Sequence, residues 1–188
     1  MDLERLFQIQ RLLDDRILEN KGLIEQDLLP MKILALQVEL GELANEWRGF
    51  KFWSEDREPR TAKRIPDVAH FDKTGEARYI KSNPLLEEYV DCLHFILSIG
   101  IELGCEDVKP AIRKTAVNFK GDELTVHFNE VKYRASGMAF VANKKTEYQV
   151  LVGCFLGLGE MFRFSWKQVE DAYYAKNEIN HERQATGY

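Results

Sequence analysis

Two pairs of acidic residues recur at the same spacing in two helix-forming segments. Glu39 and Glu42 form one pair, and Glu88 and Asp91 form the other. Residues three apart lie on one face of an α-helix, so each pair places like charges side by side, which is unfavourable unless a cation or water relieves it. Two facing helices would bring all four carboxylates into one cavity. Oxygen ligands of this kind favour magnesium, with manganese as an alternative, over zinc.

A magnesium site built from carboxylates indicates phosphate chemistry. Bound metal ions can activate a water molecule and neutralise the charge that develops on phosphate oxygens. A glutamate beside them can position or deprotonate that water. Glu39 and Glu42 are therefore the candidate catalytic residues, as well as candidate metal ligands.

These acids could also be surface residues or ligands of a di-iron centre. Helices are rich in surface glutamates, so Glu39 and Glu42 could also be solvated or salt-bridged. A di-iron centre would need two acid-x-x-His motifs, and only Asp91 with His94 offers one inside a central helix. We therefore reject the di-iron centre. His94 is then either a core histidine or a residue that orients a neighbouring ligand.

A cationic stripe and an aromatic run accompany the acids. Lys176, Asn180 and Arg183 share one face of the last predicted helix, where they could clamp a phosphate or form a solvated surface. Aromatic side chains crowd the run from Trp47 to Trp53, directly after the first acidic helix. They could cap the core or stack on a base, and spacing alone leaves both interpretations open.

Hydrophobic periodicity predicts the helices that position these residues. They cover about residues 1–20, 31–47, 85–103, 109–120, 144–164 and 165–184. The segment 85–103 is apolar on nearly every face, as is typical of a helix in the centre of a bundle. The sequence thus predicts an all-α fold: a helical bundle with a central apolar helix and magnesium-binding carboxylates on two facing helices.

Some segments lack a clear helical period. We interpret the chain as a single domain over 1–188, with an insertion at about 54–83 and a lobe at about 105–145 that could be mobile. The segment 121–142 is ambiguous: Leu124, Val126 and Phe128 alternate like a strand, and a hairpin or an irregular loop fits the segment equally well. Gly153, Gly157 and Gly159 weaken a helix, which predicts close approach of a neighbouring helix.

Composition excludes several classes of partner. The net charge is −5, so no overall basic field exists to hold a long nucleic acid. No apolar run reaches the ~18 residues of a membrane span. The three cysteines form no metal-type pair and are expected to be free. With no signal-like apolar segment at the N-terminus, a cytoplasmic location is expected.

In combination these motifs resemble the dimeric dUTPases, a branch of the all-α NTP pyrophosphatase superfamily. The acidic motifs ExxE and ExxD alone are shared more widely, including with MazG-like enzymes. The aromatic run and the closing motif restrict the resemblance from the wider superfamily to the dUTPases. The matching parts, in family order, are Gln10-x-x-Leu13-Asp14, Glu39-x-x-Glu42, the run 47–53, Glu88-x-x-Asp91-x-x-His94-Phe95, and Lys176-Asn177-x-x-Asn180-His181-x-Arg183-Gln184-x-x-Gly187-Tyr188.

The resemblance implies hydrolysis of dUTP to dUMP and pyrophosphate, which serves nucleotide-pool sanitation and dUMP supply. It implies magnesium bound by the four acids, and a homodimer. The apolar helices 85–103 and 144–164 also offer more apolar surface than one small bundle covers. The implied substrate-binding residues are Gln10 and Asp14 at the uracil edge, Trp53, His94 and Phe95 around the base, and Lys176, Asn180 and Arg183 at the phosphates.

The chain departs from the family pattern at two places. Asp14 stands where Asn is common, and the interval between Glu42 and Glu88 is longer than usual. Two further functions therefore stay open. One is a broader dNTP pyrophosphatase that acts on dCTP or modified nucleotides. The other is a helical protein that retains the fold and binds a regulator, although such a protein has no need to keep buried like charges.

Overall fold

The computed structural model describes residues 2–66, 68–113 and 123–187. Within these residues the all-α prediction is confirmed, with one small antiparallel sheet added. The elements, in chain order, are α1 (Leu3–Lys21), α2 (Leu29–Trp47), β1 (Lys63–Pro66), α3 (Val68–Thr74), β2 (Tyr79–Ser82), α4 (Pro84–Glu102), α5 (Glu123–Gly137), α6 (Lys144–Met161) and α7 (Trp166–Ala185).

Local signals define where the main helices begin and end. Asn83 caps α4 by accepting a hydrogen bond from the backbone N–H of Leu86 at 3.2 Å. Gly104, just beyond this helix, has a φ of 59°, a conformation that glycine adopts without strain. Ser165 and Gln168 form a reciprocal capping box at the start of α7. The capping box and the glycine that follows the central helix are both local signals of the sequence, and the structure uses both.

The helix α4 lies in the centre of the bundle, packed against α1, α2 and α7, with a smaller contact to α6. Its side chains are buried on several faces, including Tyr89, Ile96, Leu97 and Ile99. This arrangement confirms the prediction of a central apolar helix. It also aligns the acidic face of α4 with that of α2.

The glycines of α6 accept close neighbours, as predicted. A Cβ at Gly153 or Gly157 would overlap the backbone of Ala111 or Arg113, and Arg113 donates its N–H to the Gly153 carbonyl at 2.9 Å. The neighbour is therefore a non-helical segment, and the expectation of a neighbouring helix is wrong at these two glycines. The helix predicted over 109–120 is wrong at 109–113, which is not helical; residues 114–120 lie outside the described chain.

The segment predicted as a hairpin or loop is largely helical. The helix α5 covers Glu123–Gly137 and buries His127, Phe128, Val131 and Ala135 along one stripe. It packs against α2 and α6. The strand-like alternation at the start of the segment was misleading, because burial between two helices outweighs a weak local preference. Residues 121 and 122 lie outside the described chain.

The region between α2 and α4 contains more structure than the predicted loop or insertion. The strands β1 and β2 pair antiparallel, with Lys63 opposite Ser82 and Arg64 opposite Lys81. Two backbone hydrogen bonds join the start of this hairpin to the bundle: Arg60 N–H donates to the Glu46 carbonyl at 2.9 Å, and Leu85 N–H donates to the Arg60 carbonyl at 3.1 Å.

Apolar surface on α4 and α6 is covered within the chain, so these helices do not need the second copy that the sequence suggested. The exposed apolar side chains lie elsewhere. Met31, Leu34 and Val38 form a stripe on α2 and are each more than half exposed.

The three cysteines are free and buried, as expected. No helix among the described residues is both long and apolar enough to cross a membrane.

Candidate active site

Three of the four predicted acids meet where α2 and α4 pack together. Glu39, Glu42 and Glu88 each offer a carboxylate oxygen within 4.8 Å of the other two. Glu39 and Glu88 are half-buried, whereas Glu42 is exposed. We call these three residues the carboxylate cluster. Their convergence requires both helices, since the two halves of the cluster are separated by the whole hairpin in sequence.

The electrostatics of the cluster are unfavourable for a full set of ionised acids. Burial, followed by the neighbouring carboxylates, raises the pKa of Glu88 to about 7. The same causes raise the pKa of Glu39 to about 6. Like charges held this close favour protonation or the binding of a cation.

Asp91 lies one turn further along α4 and has a cationic partner. Lys176 on α7 donates from Nζ to Asp91 Oδ2 at 2.6 Å, and both side chains are mostly buried. Burial raises the pKa of Asp91, and the ammonium of Lys176 opposes that rise. Asp91 therefore adjoins the carboxylate cluster while it engages the last helix.

The donor set fits a hard divalent cation. Oε2 of Glu88 is buried and has no hydrogen-bond partner among the described residues. A buried carboxylate oxygen without a donor is costly, and a cation beside it would remove that cost. Glu39, Glu42 and Glu88 could hold magnesium or manganese, with Asp91 close enough to join them.

A second group of polar side chains lies deeper, where α1, α4 and α7 meet. Gln10 Nε2 donates to Asp14 Oδ1 at 2.7 Å, and Ser98 Oγ donates to Asp14 Oδ2 at 2.6 Å. The Tyr173 hydroxyl donates to Gln10 Oε1 at 2.8 Å. His94 Nδ1 also lies 2.7 Å from Gln10 Oε1. We call these five residues the polar network.

The direction of these hydrogen bonds assigns the tautomer of His94. Burial, and then the charge of Lys176, lowers the pKa of His94 to about 3, so the ring is neutral near pH 7. Because Gln10 Oε1 can only accept, Nδ1 carries the proton and Nε2 is left as an acceptor. That Nε2 is buried without a partner among the described residues, and so is the donor Nδ2 of Asn177.

The polar network includes residues that sequence reasoning did not select. These residues are Ser98 and Tyr173. A signal existed for Ser98, since it lies four residues after His94 and seven after Asp91 on the same face of α4. Lys32 also approaches this region, with Nζ 3.9 Å from Asp14 Oδ2.

The remaining predicted residues lie on the loop after α2, on α4 and on α7. Trp53 is 65% exposed, with its ring centroid 5.0 Å from that of Phe52, so its face is accessible. Phe95 is half-buried and packs against the core. Asn180 accepts from Arg183 Nη1 at 3.5 Å. Arg183 is exposed, and its charge acts on Asp91.

The fold and this geometry define an all-α protein in which a carboxylate cluster lies beside cations of the last helix. A family model described as dUTPase matches residues 2–83 and 73–188, so the two matches together extend over nearly the whole chain. The chain belongs to the dUTPase family, and it is an enzyme of the dUTP diphosphatase class. A comparison with curated proteins finds no match.

Proposed function

We propose that the protein hydrolyses dUTP to dUMP and pyrophosphate at the carboxylate cluster. The observation that carries this proposal is the convergence of Glu39, Glu42 and Glu88 within 4.8 Å, with a buried Glu88 oxygen that lacks a partner. The family assignment supplies the substrate class.

Magnesium, or manganese in its place, would be held by Glu39, Glu42 and Glu88, with Asp91 as the adjoining ligand. When bound, the ion polarises phosphate oxygens and makes a bound water more acidic. The half-buried positions of Glu39 and Glu88 keep these ligands in a region of reduced dielectric, where charge interactions are stronger than in water.

The reaction requires one bond to form and one to break. A water oxygen bonds to the α-phosphorus, and the bond from that phosphorus to the bridging oxygen breaks. The electron pair leaves with that oxygen in pyrophosphate. A carboxylate of the Glu39–Glu42 pair accepts the proton of the water, because these side chains lie next to the position of the phosphates and can act as a general base.

The base would lie at the polar network, beyond Asp91. Gln10 offers an amide with one donor and one acceptor end, and the aromatic faces of Trp53 and Phe95 suit a pyrimidine ring. Gln10 and Asp14 are buried and bonded to each other, so a base that uses their edges must replace some of these hydrogen bonds. Lys176, Asn180 and Arg183 would contact the phosphates from α7.

We also propose that two copies form a homodimer in the cytoplasm. What supports the homodimer is the stripe of exposed apolar side chains on α2, formed by Met31, Leu34 and Val38. A contiguous apolar surface of this kind is typical of an interface between proteins.

A nucleotide panel tests the proposed function. Purified protein with magnesium is incubated with dUTP, dCTP, dTTP and dATP, and pyrophosphate release is measured for each. Preferential release from dUTP that disappears with a chelator supports the proposal. Similar rates for dUTP and dCTP would favour the broader dNTP pyrophosphatase, and release from none would favour a regulator-binding protein.

A further inference from the structure

A groove separates the hairpin from the first turn of α4. It has a volume of about 560 Å³ and is lined by residues of α2, the hairpin and α4, namely Glu46, Arg60, Ala62, Lys63, Ile65, Ser82, Pro84, Glu87 and Glu88. The volume lies within the ~300–1,000 Å³ that is typical of ligand pockets. Glu88 belongs to both, so the groove adjoins the carboxylate cluster.

We propose that this groove receives the β- and γ-phosphates of the substrate, and then the pyrophosphate product, with Lys63 and Arg60 as the phosphate-binding cations. The inference rests on the proposed function, since it extends the same site. It assigns to the hairpin a role in binding the leaving group.

The order of groups along α4 supports this placement. His94 belongs to the polar network, Glu88 to the carboxylate cluster and Pro84 to the groove. With a rise of 1.5 Å per residue, His94 and Glu88 are about 9 Å apart along the helix axis, and Glu88 and Pro84 about 6 Å. A nucleotide with its base at the polar network and its α-phosphate at the cluster would therefore direct its terminal phosphates into the groove.

The groove is lined by three carboxylates, those of Glu46, Glu87 and Glu88, and by two cations, so it favours an anion only when a divalent cation at the carboxylate cluster offsets the charge of Glu88. The other two carboxylates have partners: Arg60 Nη1 pairs with Glu46 Oε1 at 3.2 Å, and Ser82 Oγ donates to Glu87 Oε1 at 2.6 Å. No carboxylate lies within ion-pairing distance of Lys63 among the described residues. Lys63 can therefore pair with an anion in the groove without first leaving an ion pair with a described residue.

Arg60 is held in position by the bundle. Its backbone donates to Glu46 and accepts from Leu85, while its side chain remains about half exposed. A guanidinium held in this way can contact phosphate oxygens with two N–H groups. Oε2 of Glu46 is buried without a partner among the described residues. Because Glu46 depends on Arg60 for its ion pair, the guanidinium can move toward a phosphate only to positions that stay close to Glu46.

The hairpin provides a matched control. Neighbouring strand residues point to opposite faces, so Lys63 shares the groove face with Ile65, whereas Arg64 and its cross-strand partner Lys81 lie on the other face. Lys63→Ala and Arg64→Ala each remove one positive charge from the same strand, and only the first removes it from the groove.

The test measures binding of pyrophosphate, of dUMP and of the non-hydrolysable analogue α,β-imido-dUTP by calorimetry with magnesium. Lys63→Ala should weaken pyrophosphate and the analogue by about tenfold, the scale of one charge-assisted hydrogen bond, and leave dUMP unchanged. Arg60→Ala should act in the same direction, and Arg64→Ala should match the unmodified protein.

Three outcomes would overturn the inference: Lys63→Ala without effect, equal weakening by Lys63→Ala and Arg64→Ala, or equal weakening of dUMP and pyrophosphate. These outcomes are separable from failure of the proposed function. A protein that does not hydrolyse dUTP, yet binds pyrophosphate in a manner that depends on Lys63, contradicts the proposed function and supports the groove.

Discussion

Lys176 on α7 and Asp91 on α4 are joined by an ion pair with 2.6 Å between Nζ and Oδ2. This pair links the last helix to the acidic face of the central helix. It places one cation beside a group of acids whose charges otherwise repel. It also connects the polar network with the acids, because Lys176 acts on His94 as well as on Asp91.

Replacing Lys176 should therefore expose the repulsion among the acids. In the absence of divalent cations, we expect Lys176→Gln to lower the free energy of unfolding by about 1–2 kcal/mol, between the values for surface and buried ion pairs. Magnesium should restore more stability to this variant than to the unmodified protein, because the ion replaces the lost ammonium. Denaturant unfolding with and without magnesium measures both effects.

The control is Lys167→Gln on the same helix. Lys167 pairs with Asp171, and both side chains are largely exposed, so its loss should change stability much less than the loss of Lys176. Equal destabilisation by the two variants would contradict a special role for Lys176.

Removing a single acid from the site should abolish turnover without unfolding the protein. We expect Glu39→Gln and Asp91→Asn to lower kcat/KM for dUTP by at least about a hundredfold, the scale of losing an electrostatic catalytic group. Circular dichroism should show unchanged helix content. Glu178→Gln, an exposed position on α7, is the control and should retain activity. Near-normal activity in Asp91→Asn with magnesium still required would contradict its assignment as a ligand.

The end of α7 should matter for phosphate binding more than for folding. Removal of the chain from Asn180 onward deletes Asn180 and Arg183 while it leaves Lys176 in place. KM for the triphosphate should rise about tenfold or more, because two phosphate contacts are lost. The midpoint of thermal unfolding should change little by comparison. Unchanged kinetics would mean that this stripe is a solvated surface.

Asp14→Asn should sharpen the preference for uracil. Asp14 accepts hydrogen bonds at both oxygens, from Gln10 and from Ser98, and an ionised carboxylate cannot donate to a uracil carbonyl. An asparagine could accept from Gln10 and turn its amide donor toward the base or Ser98. We expect the ratio of kcat/KM for dUTP over dCTP to rise by about tenfold. If the ratio stays constant or falls, Asp14 orients Gln10 instead of reading the base.

The exposed apolar stripe on α2 gives a test of the homodimer. At micromolar concentration, the unmodified protein should sediment at twice the mass of one chain. Leu34→Lys introduces a charge into the centre of the stripe and should yield monomers, since an unpaired buried charge is costly at an interface. Phe140→Lys, at a side chain that is 89% exposed outside the stripe, should leave the dimer intact. A monomeric unmodified protein would refute the homodimer.

Much of the helical framework is readable from the sequence because its causes are local. The apolar period of α4, the proline in its first turn and the capping box of α7 act over three or four residues. The acidic pairs are visible for the same reason, since a spacing of three residues already places Glu39 beside Glu42 on a helix. The family resemblance follows from the order of these local motifs.

The interpretation of residues 121–142 failed for a complementary reason. In isolation, the alternating side chains around Val126 suit a strand. The helix α5 forms because its other stripe, which includes Phe128 and Val131, is buried against α2 and α6. The partners that decide between the two conformations are distant in sequence.

The contacts that define the site depend on tertiary structure alone. Gln10 meets His94 across 84 positions, and Lys176 meets Asp91 across 85. Helical periodicity can indicate which face of its helix each residue occupies. It cannot indicate which helices pack together, or which residues of two packed helices lie side by side. The burial of apolar stripes decides that packing. The sequence by itself thus determined α1, α2, α4, α6 and α7 and the types of chemistry they carry, and only the packing of α1, α2, α4 and α7 decided which groups share a site.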